Sequence, residues 1–181
     1  MNHADHVRLL RHGVLAGAKD APGGVWADLG SGTGAFTLAL ADLIGPGGVI
    51  YSVDRDQHAL VEQEKLMRAR AEDTVPTVHY MAADFTRPLQ LPPLDGIVMA
   101  NSLHFHRDKE PIVRTVRTYL RSGSGLILVE YNVDAGNPWV PYPFSYPTWE
   151  TLACRCGFAN TRLLETIPSR FLREIYSAMS W

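Results

Sequence analysis

Cysteine is scarce in this chain: 181 residues contain only Cys154 and Cys156. They are too close in sequence for an ordinary disulfide and too few for a zinc site, so free thiols are expected. Lysine is nearly as rare, three residues against fourteen arginines, a bias from which no function follows. With a formal net charge of -2 there is no basic field to gather nucleic acid. No apolar run approaches the roughly 20 residues that span a bilayer, and the first thirty residues interleave His, Asp, Arg and Lys in place of a signal-peptide core. These absences predict a cytoplasmic protein without a nucleic-acid or membrane partner. Monomer and homodimer both stay open.

What is present is the profile of a soluble globular chain, 46% hydrophobic and 20% charged, of a size that one core can serve. A single domain over residues 1–181 is expected, since no repeat, low-complexity tract or linker interrupts it. Strand-like runs rich in β-branched and aromatic residues recur at 25–27, 49–53, 77–81, 95–100 and 126–131. Helical patterns separate most of them. One runs from about Thr33 to Ile44 and stops at Gly45-Pro46. Another is capped by Asp56 and reaches about Ala71, with Glu64 and Arg68 spaced for an i,i+4 pair. A third, opened by Asp108 with Pro111 in its first turn, carries an apolar stripe of Ile112, Val116, Tyr119 and Leu120, while Arg114, Arg117 and Arg121 form its solvated side. A short helix around 148–156 precedes two late strands near Thr161–Ile167 and Arg170–Ser177. Such alternation predicts an α/β Rossmann-like three-layer sandwich, with a mainly parallel seven-stranded sheet whose last strand is antiparallel. Ligands of such folds bind outside the carboxyl ends of the strands.

The first strand runs into Asp28-Leu29-Gly30-Ser31-Gly32-Thr33-Gly34. Glycine suits a strand-to-helix turn wrapped on a ligand, where positive φ and close approach exclude Cβ atoms. The same residues fit a permissive dinucleotide fingerprint, with Asp54 near the position of a ribose-binding acid, so NAD is an alternative. Asp28 favours a different ligand: a carboxylate facing the crevice repels a pyrophosphate and attracts an ammonium or sulfonium. Asp54 could also be a solvated turn acid, and Asp84 an Asx-turn residue.

The ordered set Asp28-Leu29-Gly30-Ser31-Gly32-Thr33-Gly34, Asp54, Ala83-Asp84-Phe85 and Asn101-Ser102-Leu103-His104 resembles the motifs of class I S-adenosylmethionine-dependent methyltransferases over about residues 25 to 131. The resemblance implies S-adenosylmethionine as cofactor and S-adenosylhomocysteine as product. It places Asp28, Gly30, Ser31, Gly32 and Gly34 at the methionine portion, and Asp54 with Arg55 at the ribose. Ala83, Asp84 and Phe85 then meet the adenine, and Asn101 contributes near the reacting end. Residues 1–15, with Val7, Leu10, Val14 and Leu15 at helical spacing, match a leading helix that covers the cofactor in the family; packing alone is the other role open to it.

In-line methyl transfer needs little beyond positioning, which contributes about 7 to 11 kcal/mol; a base matters when the nucleophile arrives protonated. His104 and His106 follow the fourth strand and are the candidate bases. No carboxylate completes a metal set with them, so no metal is expected. The Pro/aromatic loop 137–149 offers Trp139, Tyr142 and Tyr146, which with Tyr131 are candidate substrate-pocket residues; a dimer contact and an ordinary packed loop are the alternatives. The segment after the fourth strand lacks the Asn/Asp-Pro-Pro-aromatic pattern of enzymes that methylate base amines. The expected acceptor is a small molecule, with a protein side chain as a lesser alternative. A noncatalytic adenosyl-ligand-binding or assembly protein is the other functional class considered.

Overall fold

The computed structural model describes residues 1–17, 23–70, 75–169 and 171–181. Within them the order is α1 (His3–Gly17), β1 (Gly24–Leu29), α2 (Ala35–Ile44), β2 (Gly48–Asp54), α3 (Gln57–Arg68), β3 (Thr77–Ala82), β4 (Leu94–Ala100), α4 (Glu110–Arg117), β5 (Leu120–Tyr131), α5 (Tyr146–Arg155), β6 (Thr161–Pro168) and β7 (Glu174–Ser180). The seven strands form one sheet in the order β3-β2-β1-β4-β5-β7-β6. β1 to β5 pair in parallel, while β7 runs antiparallel to both β5 and β6. This is the expected sandwich, its last strand reversed. Strand order turns back at β1 and β4, which opens a crevice beyond their carboxyl ends.

Alternation along the central strands feeds two cores. Ala27, Leu29, Ile97, Met99, Leu126 and Leu128 pack with Val113 and Val116 of α4 and Trp149 and Leu152 of α5. On the other face Trp26, Val98, Ile127 and Val129 meet Leu9, Leu10 and Val14 of α1, Phe36 and Leu40 of α2, and Met67 of α3. Each fully buried leucine, isoleucine, valine or methionine among them stabilises the fold by about 1.5–3 kcal/mol. No helix among the described residues is long and apolar enough to cross a membrane.

Several boundaries differ from the sequence reading. Asp56 does cap α3, accepting from the His58 and Ala59 N–H groups, and Glu64 meets Arg68 at 2.6 Å; the expected end at Ala71 lies outside the described residues, as does the expected strand start at Arg170. α4 begins one residue later than a cap at Asp108 requires, with Lys109 in the cap position, and it ends at Arg117. Tyr119 and Leu120 therefore leave its stripe: the Tyr119 hydroxyl accepts the Leu89 N–H, and Leu120 opens β5. In α1 the buried side chains are Leu9, Leu10 and Val14, while Leu15 is 50% exposed, because it projects about a quarter-turn away from Val14. Gly13 lets this helix approach the sheet: a Cβ there would stand 2.6 Å from Ile127 Cδ1.

Candidate active site

The glycine loop is fixed from its neighbour strand. The N–H groups of Gly30 and Ser31 both donate to Val53 O, at 2.8 and 3.1 Å, Gly32 N–H donates to Asp54 Oδ2 at 2.8 Å, and Gly34 N–H closes a turn on Ser31 O. A buried knot supports it from beneath, where Gln63 of α3 donates to Gly32 O at 3.1 Å and accepts from the Ser52 hydroxyl at 2.7 Å. Ser31 joins that knot, 2.8 Å from Ser52 Oγ. Gly30, with φ 80, packs so tightly that a Cβ would meet Ser102 Cβ at 2.5 Å and Phe85 Cε1 at 3.1 Å. Four loop N–H groups are thus consumed internally and are not free to cradle an anion, and the acid beside the loop is Asp54 at the end of β2.

A cavity of about 470 Å³ lies over this loop, between Gly30, Gly32 and Thr33 on one side and Ala83, Asp84 and Phe85 on the other. Asp54, Arg55, Asp56, Ala59, Asn101, Ser102, Phe105 and His106 complete its wall. Asp54 accepts one N–H on each oxygen, from Gly32 and from Asp56 at 2.9 Å. A carboxylate offers about four acceptor sites, so two remain, one per oxygen, as a vicinal diol requires. Asp84 Oδ1 takes both the N–H and the hydroxyl of Thr86; these bonds hold its carboxyl below the usual carboxylate range. Its Oδ2 has no partner among the described residues. Asn101 adopts φ 52, donates its N–H to Val129 O at 2.9 Å, and keeps a buried Oδ1 without a partner. A nucleoside bearing a cationic group fits this wall of acids, apolar rings and unfilled acceptors.

The other residues singled out in the sequence lie elsewhere. The expectation that Asp28 faces the crevice is corrected: strand parity turns it with Trp26 toward α2, where it is 1% exposed and accepts the Thr37 hydroxyl at 2.6 Å. Burial pushes its carboxyl up to about 7, partly offset by the Thr37 bond, with Asp54 nearby adding to the rise. Ser31 and Gly34 sit behind the wall, Gly34 against the Gln63 side chain. No residue of α1 lines the cavity; that helix packs on α2, β5, β6 and β7. The two histidines separate. His106 is on the wall, edge-on to Phe85 at 5.4 Å, and burial draws its pKa down against the opposing field of Asp84. His104 is 3% exposed, its Nδ1 2.8 Å from Glu130 Oε2. Tyr131, Trp139, Tyr142 and Tyr146 are not on the cavity wall. Tyr131 and Trp139 both approach Phe171, Tyr142 donates its N–H to His104 O, and Tyr146 is apart from them, its hydroxyl on Glu150. Sequence reasoning missed Thr33, Asp56, Ala59, Ser102 and Phe105 on the wall, as well as Gln63 beneath it. Proximity to the motifs was the only available signal for the wall residues.

The raised carboxyl of Asp28 gives the fold a pH signature. An acid that keeps its proton more tightly folded than unfolded penalises the fold as it ionises, so stability falls as pH rises from about 4 to about 7. Asp28→Asn is expected to flatten that decline, read as urea midpoints at pH 5 and pH 8 that lie closer together than in the unmodified protein. An unchanged gap would remove Asp28 as its source.

The fold defines a Rossmann-like domain with a cavity at the carboxyl edge of its sheet. Residues 27–126 match the model of the methyltransferase domain family, and the chain belongs to that family, among the class I S-adenosylmethionine-dependent enzymes. S-adenosylmethionine is accordingly its cofactor. A ubiquinone/menaquinone biosynthesis C-methyltransferase from Pasteurella multocida is 31% identical over 114 residues, which are 61% of this chain but 41% of that protein. Among solved structures, the YcgJ protein of Bacillus subtilis superposes with a TM-score of 0.76 at 12% identity, covering 98% of both chains. A SAM-dependent methyltransferase from Methanosarcina mazei gives 0.66 at 17% identity, covering 89% of this chain and 92% of that one. At these identities the structures speak for the fold alone.

Proposed function

We propose that this chain transfers a methyl group from S-adenosylmethionine to a small molecule entering at the carboxyl edge of the sheet. The observation that carries this reading is the state of Asp54, anchored by two backbone N–H groups yet retaining one acceptor site on each oxygen toward the cavity. Asp54 holds the ribose hydroxyls, Asp84 Oδ2 receives the adenine amine beside Phe85, and Asn101 closes the reacting end. When bound, the cofactor supplies an electrophilic methyl group and leaves as S-adenosylhomocysteine.

His106 is the histidine on the wall, and its lowered pKa leaves it neutral and able to accept a proton near pH 7. His104 acts at one remove, fixing through Glu130 the loop that carries His106. A net charge of -2 favours a small acceptor over nucleic acid. The relative named for quinone biosynthesis points the same way. Free thiols at Cys154 and Cys156 suit a reducing compartment, in keeping with a cytoplasmic location.

Calorimetry with S-adenosylhomocysteine and NADH tests the reading. S-adenosylhomocysteine is expected to bind and NADH not to. Asp54→Ala is expected to weaken binding by about 1.5 to 3 kcal/mol, roughly 10- to 150-fold, the range of charge-assisted hydrogen bonds. His106→Ala in the same series keeps affinity and lowers turnover. Tight NADH binding with no response to S-adenosylhomocysteine would sink the proposal.

A further inference from the structure

Lysine is an unfavourable residue at the start of α4. Lys109 holds the cap position with its backbone but makes no capping bond with its side chain, at a place that suits Ser, Thr, Asp or Asn. A cation there also meets the positive end of the helix dipole. Two local preferences are broken, as happens where a side chain serves a site, and the compensation lies in what this one reaches. Its Nζ reaches back three positions to donate to His106 O at 2.8 Å. It also lies 4.9 Å from the Phe144 ring centroid and 5.9 Å from that of Tyr142. The two rings hold the ammonium, and the ammonium holds the carbonyl. Arg107 and Asp108 stand exposed in the turn so closed.

His106 needs such a hold. Its imidazole has no hydrogen bond among the described residues, and it stands on the cofactor cavity wall edge-on to Phe85. Glu130 secures the segment only as far as His104, where the Tyr142 N–H adds a bond to His104 O at 3.0 Å. Beyond that point two bonds fix the His106 backbone, its N–H on Leu103 O at 3.0 Å and its C=O on Lys109. Lys109 itself stays off the cofactor cavity. It lines a separate one of about 730 Å³, together with Asp134, Phe144 and Leu152. We propose that Lys109 is a positioning residue, which ties the His106 carbonyl to the Pro/aromatic loop and so sets where the imidazole stands on the cofactor cavity; its bearing on methyl transfer rests on the reading of His106 as the base. The Pro/aromatic loop then acts on the site from behind the wall, with none of its residues lining that cavity.

The test follows the full chain by NMR, free and saturated with S-adenosylhomocysteine, through the nuclear Overhauser peak between the His106 and Phe85 rings. Lys109→Met keeps an apolar stem on Phe144 but removes the donor and the charge. It is expected to lose that peak and to move the His106 titration midpoint upward, because the ring leaves its half-buried seat and a nearby cation has gone. Asp84, Arg55 and His104, the other charged or titratable groups around the imidazole, are untouched. Lys109→Arg keeps a cation and N–H donors for the same rings and carbonyl, and should retain both signals. Arg107→Gln removes the neighbouring cation without touching the carbonyl, and should also leave both in place. Methionine and arginine variants that behave alike, or a midpoint that moves as far with Arg107→Gln as with Lys109→Met, would overturn the anchor. If S-adenosylhomocysteine fails to bind while the free protein gives the expected peaks, the methyltransferase reading falls and the anchor stands.

Discussion

Gly30→Ala is expected to cost the protein several kcal/mol and its ligand, whereas Gly32→Ala costs the ligand far more than the fold. Both residues are left-handed, at φ 80 and φ 53, so each alanine carries the penalty of about 1–2 kcal/mol for an L-residue in that region. Their surroundings differ. At Gly30 the new Cβ falls 2.5 Å from Ser102 Cβ, close to a backbone held by the Ser102 hydroxyl on Leu29 O at 3.1 Å. Overpacking of this kind adds about 1–3 kcal/mol. The strain spreads into Asn101 and Ser102, and so deforms both sides of the cavity. At Gly32 the Cβ meets no atom within 4 Å; its residue borders the cavity, and the space it takes belongs to the ligand. Thermal melts and calorimetry with S-adenosylhomocysteine separate the two. Gly32→Ala should melt within a few degrees of the unmodified chain and bind at least about tenfold more weakly, one order of magnitude for about 1.4 kcal/mol. Undiminished binding would mean that the loop does not face the cofactor.

The pattern along the chain discloses the strands because central parallel strands are buried on both faces, and burial demands the apolar β-branched runs that the sequence displays at 49–53 and 126–131. Asp54, Asp84 and Asn101 were visible for a related reason: a polar residue that ends an apolar run sits at the carboxyl edge. Asp28 shares that position in sequence, but its orientation depends on parity relative to its neighbours, and the residue shares a face with Trp26. β5 begins six residues before its expected start because Gly123 and Gly125 resemble a turn, yet a bulge against β4 lets the irregular backbone continue in the sheet. Gln63 was hidden among Glu62, Glu64 and Lys65, which look like a solvated helix face; only the placement of α3 against the loop buries it. Phe105 and Phe171 are 66 positions apart, and their common edge is a product of strand order. Tertiary contacts of that kind leave no local trace.

Glu130→Ala is expected to be the most damaging single change away from the cavity wall. Glu130 is fully buried one residue before the end of β5. Its Oε1 accepts the N–H groups of Leu103 and His104 at 3.1 and 3.2 Å, and its Oε2 meets His104 Nδ1 at 2.8 Å. Truncation leaves two donors and a buried imidazole unpaired, a loss of about 3–5 kcal/mol by analogy with broken buried pairs. Against a total stability of about 5–15 kcal/mol, and at about 2–4 °C per kcal/mol for a chain of this size, the melting temperature should drop by roughly 6–20 °C. Glu130→Gln separates packing from charge. It keeps an oxygen for the two N–H groups and requires His104 to present an acceptor at Nδ1, a tautomer change that leaves the shape intact, so it should fall between alanine and the unmodified protein. The same pair holds the segment from Asn101 to His106, four of whose residues are on the cavity wall. Glu130→Ala should therefore weaken S-adenosylhomocysteine even at temperatures where the protein remains folded, and Glu130→Gln much less. Alanine and glutamine variants that melt together with the unmodified chain would show that the pair supports neither fold nor site.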